Sequence, residues 1–254
     1  MRFDIEALFN SEFDRNEQLS LVASTLEHLR NTYPAKWQLL GQGARIPEFK
    51  ALIRGLVRVA DESVDHRATV AYVTKAALND LKATAILRGA KRMTKGALSD
   101  SEKFNHEHAT PVEVILRTIT LPENQQVPMV KMLDALCCRV LVTSAERVKI
   151  DNEHAWTVPA SLEWKKGLSL GLRTLDPSFI PLIRYHKVDP ELALSLIPLS
   201  SARKSLHEQF CNLMSASNFE DLMCAYRACK RKPDTSFVLS DDIYRGTARM
   251  KFGE

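Results

Sequence analysis

The sequence is poor in the features that assign a chain to a specialised class. It has 5 cysteines in 254 residues, an odd number that includes the adjacent Cys137 and Cys138, so no disulfide framework is expected. No apolar run approaches the ~20 residues needed to cross a bilayer. The opening Met1-Arg2-Phe3-Asp4-Ile5-Glu6 carries acidic residues where a secretory leader would place an apolar core. The chain is therefore read as cytoplasmic, with no membrane partner. Neither sign of charge dominates: 35 Lys and Arg stand against 31 Asp and Glu, a net +4 with a pI of about 8.8. That balance excludes a polycationic nucleic-acid coat but leaves room for local positive fields. There is no G-x-G-x-x-G, Walker loop, G-x-S-x-G, H-E-x-x-H or paired C-x-x-C, so the common nucleotide, hydrolase and zinc-protease mechanisms have no motif to rest on. Internal repeats and low-complexity segments are also lacking.

What remains is an ordinary folding composition, 45% hydrophobic and 26% charged, far from the regime of disorder. Apolar residues at three- and four-residue spacing predict a helix from Asn16 to Asn31, closed by Pro34, and another from about Pro47 to Asp61. In the second, Phe49, Leu52, Ile53, Leu56, Val57 and Ala60 share one side, while Lys50, Arg54 and Arg58 repeat at four-residue steps. His66 to Leu87 is alanine-rich and reads as helix on propensity. Thr110-Pro111-Val112-Glu113 reads as a capping box opening another helix, followed by one from Asn124 to Leu136. Arg139-Val140-Leu141-Val142-Thr143 is the best strand candidate.

Residues 144 to 188, punctuated by Pro159, Pro177 and Pro181, are expected to form loops and short helices, with a second strand candidate at 161–166. Asp189-Pro190-Glu191 restarts helix and Pro198 stops it. Helices follow over Ser201 to Ala216 and Asn218 to Lys232, the latter opening on a Ser217-Asn218-Phe219-Glu220 capping box. The fold class is mainly α: a multi-helix globular protein with at most a small β element. A helical lobe over 1–104, a mainly helical lobe over 105–232 and a polar, basic tail over 233–254 are expected, or else one continuous domain.

Two short patterns carry possible chemistry. His106-Glu107-His108, followed by Pro111, resembles the opening of the HNH nuclease motif over about six residues, with Glu123-Asn124 at the place of that family's central asparagine. The resemblance implies Glu107 and His108 as metal ligand and general base on a water attacking a phosphodiester. Asp151, followed by Glu163-Trp164-Lys165, matches the bare D…ExK spacing of restriction-type nucleases, in which the carboxylates hold Mg and the lysine stabilises developing charge. The plainer readings are a helix entry with surface histidines and a chance spacing. His207 and Cys211, with Cys224 and Cys229, are zinc-competent side chains within 23 residues, although buried thiols account for the cysteines equally.

Positive charge recurs in clusters: Lys50, Arg54 and Arg58; Arg88, Lys91, Arg92 and Lys95; and Arg227, Lys230, Arg231 and Lys232. Each could be a solvated face, or a helix end complementing the macrodipole. Their recurrence leads the expectation of a nucleic-acid-associated binding protein of a bacterial or mobile-element system that contacts phosphates through basic helical surfaces. The alternatives are the metal-dependent nuclease, and a regulatory factor that docks an acidic protein or self-associates as a homo-oligomer.

Overall fold

A computed structural model describes residues 15–61, 70–87, 103–154, 161–164, 168–171, 175–230 and 237. The protein is mainly α with a small sheet, as its periodicity predicts. Helices α1 (Arg15–Thr32), α2 (Pro34–Gly41) and α3 (Pro47–Asp61) come first. Strand β1 (Val70–Val73) leads into α4 (Lys75–Leu87), and β2 (Phe104–His108) into α5 (Val112–Thr120). A 3-10 turn at Pro122–Asn124 precedes α6 (Met129–Leu136), β3 (Arg139–Thr143) and α7 (Ser144–His154). A hairpin follows, made of β4 (Ser161–Trp164) and β5 (Leu168–Gly171). Then come α8 (Ile180–Val188), α9 (Pro190–Leu194), β6 (Ile197–Pro198), α10 (Ser201–Ser215) and α11 (Phe219–Cys229).

The main sheet has the order β2-β3-β1-β6. β1 and β3 are parallel, while β2 and β6 run antiparallel to their neighbours. It therefore joins strands from both sides of position 104. Its strands separate two apolar clusters. Val140 and Val142 enter the large core with α1, α3, α5, α6 and α8. Leu141, Val70, Val73 and Phe104 pack with Ala77, Leu78 and Leu81 of α4. An irregularity between Val70 and Tyr72 breaks the two-residue alternation and lets Ala71 and Tyr72 both reach the large core, as a bulge does.

Several expectations are corrected. The stretch from His66 to Leu87 is not one helix: Val70–Val73 is a strand, because a β-branched and aromatic run beside β3 gains more from sheet pairing than from helix propensity. The helix expected from Asn124 begins at Met129, after Pro128, since proline suits only a helix start. Pro198 does not simply stop a helix; it pairs with Tyr72 in β6. At α5 the N-cap is Pro111, with no side-chain cap. Glu113 does not close a capping box, because Lys50 and Arg117 hold its carboxylate. At α11 the cap is Asn218 rather than Ser217, accepting from the Asp221 amide at 2.9 Å. Residues 144–154, read as loop or short helix, make α7. Phe237, within the expected polar tail, is buried in the large core.

Candidate functional site

At the carboxyl ends of the parallel strands β1 and β3, two helices begin side by side. The Thr74 amide donates to the Leu141 carbonyl at 3.0 Å, and the Thr74 hydroxyl accepts from the Ala77 amide at 3.2 Å, capping α4. Glu146, in the first turn of α7, sends Oε2 back into this edge. It accepts from the Thr74 hydroxyl at 2.8 Å, the Thr143 amide at 2.8 Å and the Thr143 hydroxyl at 3.0 Å. Thr143 in turn accepts from the Glu146 amide at 3.2 Å, which completes a capping box. Open α/β sheets place anionic ligands at this edge. Here the protein's own carboxylate takes that position.

One strand away, His106-Glu107-His108 lies in β2, paired with β3 so that Glu107 faces Val140 and His108 faces Arg139. The segment is a strand, and the helix entry expected after it follows at Pro111, the N-cap of α5. Glu107 Oε1 accepts from Arg184 Nη2 at 3.1 Å, and Arg184 also donates to the His108 carbonyl. Glu107 is 9% exposed and Arg184 2% exposed. The ion pair thus fastens α8 to β2 inside the core, and a metal ion at Glu107 would face the guanidinium's positive charge. Beside it, burial pushes the Tyr185 phenol well above its usual range, and the Glu107 charge adds to the effect. Asn124, at the place of the HNH asparagine, is buried and donates to the Thr118 carbonyl at 2.7 Å, closing the end of α5.

The second nuclease pattern is split between elements. Asp151 belongs to helix α7 and Glu163 to the β4–β5 hairpin; Lys165 lies outside the described residues. Of the zinc-competent set, the His207 ring contacts the Ala193 carbonyl at 3.0 Å and the Cys211 thiol at 3.7 Å. Cys229 donates to the Gln209 carbonyl, while Cys224 is exposed. No group of three or more His, Cys, Asp or Glu side chains is placed to hold a metal among the described residues. Nor is any of their helices long and apolar enough to cross a membrane.

Of the basic clusters, the residues at 88–95, together with Arg231 and Lys232, lie outside the described residues. Lys50, Arg54 and Arg58 line α3. Lys50 Nζ meets Glu113 Oε1 at 2.7 Å, and Arg117 Nε approaches the same oxygen at 3.7 Å, so two cations converge on one carboxylate where α3 packs on α5. Arg54, one turn beyond Lys50, is half-buried, and its Nε has no hydrogen-bond partner among the described residues. Arg227 and Lys230 are exposed at the end of α11. Sequence reasoning missed Glu146 and Arg184. The Thr143-x-x-Glu146 spacing was a usable signal for the first; the second had none, since its partner lies 77 residues away.

No family model, curated protein or solved structure matches the chain.

Proposed function

We propose that this protein binds nucleic acid through the basic flank of α3 and α5, contacting the phosphate backbone without base readout. The observation that carries the reading is the convergence of Lys50 and Arg117 on the single Glu113 carboxylate, with Arg54 following one helical turn on. One carboxylate on this flank faces Lys50 and Arg117, with Arg54 beside them, and that density of cations supports a positive field toward phosphates. Arg227 and Lys230 supply a second cationic point at the end of α11. A cytoplasmic location belongs to the same proposal; it rests on an odd set of cysteines in which Cys137 and Cys138 are buried and not joined in a disulfide.

Fluorescence anisotropy of labelled duplex and single-stranded DNA and RNA across a salt series tests the reading. Affinity that falls steeply as salt rises supports it, because bound phosphates release condensed counterions. Failure of every probe to bind at low salt contradicts it.

A further inference from the structure

Helix α3 carries an outer face that the rest of the described chain leaves open. At about 100° per residue, Glu48, Ala51, Leu52, Gly55, Arg58 and Val59 fall on one arc, and all six are exposed. Leu52 and Val59, about two turns apart on the same face, are 48% and 50% exposed. A Cβ built on Gly55 meets nothing within 4 Å. This mid-helix glycine weakens the helix without serving any packing inside the described chain.

The charge order along this face suits a second copy of the same helix. Glu48 lies in the first turn of α3 and Arg58 in the last, about 15 Å apart along the axis. The midpoint between them is Ile53, which is also the midpoint between Ala51 and Gly55. A two-fold axis near Ile53 would run a second α3 antiparallel to the first in a single register. Glu48 then meets the other copy's Arg58 at both ends, and Ala51 lies over Gly55 in the middle, where small side chains permit close approach. Leu52 and Val59 of both copies come together on one flank. A parallel pairing sets Glu48 against Glu48 and Arg58 against Arg58, which like-charge repulsion opposes.

We propose that the outer face of α3 is the interface of a symmetric dimer, in which two copies of this chain pack α3 against α3 antiparallel and exchange Glu48–Arg58 ion pairs. The contact is isologous, so one patch serves both copies. It does not rest on nucleic-acid binding: it is argued from Glu48, Arg58 and the exposed small and apolar residues of this face, while Lys50 is turned toward Glu113 of α5.

Sedimentation equilibrium of the nuclease-treated full chain tests the dimer, with circular dichroism of each variant as the folding control. Wild type is expected to show a reversible monomer–dimer equilibrium in the micromolar range. Gly55→Glu, at an exposed position with open space around it, should keep the helical signal and weaken association by on the order of tenfold or more. Glu48→Arg and Arg58→Glu should each weaken it by on the order of tenfold, since each places like charges at both ends. The combined variant should recover most of the wild-type association. A wild type that stays monomeric across that range overturns the proposal and leaves the face to a different partner. So does a Gly55→Glu protein that dimerises as tightly as wild type, or a combined variant no stronger than the singles.

Discussion

Glu107 and Arg184 form an ion pair with both side chains largely out of water. Truncating one partner leaves the other charged and buried without its counter-charge, so Glu107→Leu or Arg184→Met should each destabilise the protein by about 3–5 kcal/mol in urea unfolding. The double variant should cost less than either single, because it buries no orphan charge; a double-variant loss equal to the sum of the two singles would show that the pair is not coupled. Gly41 poses a steric rather than an electrostatic demand: a Cβ there would lie 2.2 Å from the Thr120 carbonyl oxygen. Gly41→Ala should therefore cost about 2 kcal/mol, read from the same unfolding curves.

Histidine supplies a pH dependence at this scale. Burial lowers the His186 pKa from its ordinary 6.5, and the ring packs edge-on against Phe210 at 5.8 Å. As pH falls through 6.5 the unfolded chain takes up the proton before the folded one does, so this site's contribution to stability is present above that pH and is lost below it. Unfolding midpoints measured from neutral to mildly acidic pH should decline less in His186→Phe than in wild type. An unchanged slope would assign the dependence to other groups.

Elements differ in how plainly their residues announced them. Helix α3 was readable at both ends because Pro47 opens it and its apolar side repeats faithfully. β1 and β3 share a plan, a β-branched run ending in Val-Thr with the threonine capping the next helix: Val73-Thr74 before α4 and Val142-Thr143 before α7. β3 was recognised because its run stands alone between turns. β1 was not, because the alanines and leucines of α4 follow it at once and extend the helical pattern backwards over it. α7 was hidden by its polarity, though its capping box was in plain view. Glu146→Ala removes the acceptor of three hydrogen bonds, and with it the glutamate half of the α7 capping box while the Thr143 cap stays, which should cost about 1–2 kcal/mol in chemical denaturation. Glu146→Gln should recover part of that loss.

At the scale of the whole molecule, the mainly helical class followed from composition and period, whereas the juxtapositions that organise the interior did not. Arg184 reaches Glu107, and Thr74 reaches Glu146, across 77 and 72 residues of chain, and a periodic pattern holds no information about such distances. The nuclease patterns were short enough to arise by spacing alone; the fold commits Glu107 to Arg184 and puts Asp151 and Glu163 on different elements. Thiol reactivity gives an overall check on the packing. Exposed Cys224 should be alkylated first in the native protein. Cys229, whose thiol burial pushes up to about 11, and the buried pair Cys137 and Cys138 should react only after denaturation.

The central claim concerns phosphate contact by the α3–α5 flank, and the most direct measurement is the slope of log affinity against log salt for duplex DNA, compared between wild type and Arg54→Gln. If Arg54 meets a phosphate, the variant should bind more weakly and its slope should be shallower by about 1. Identical slopes for the two proteins would contradict the assignment of this surface.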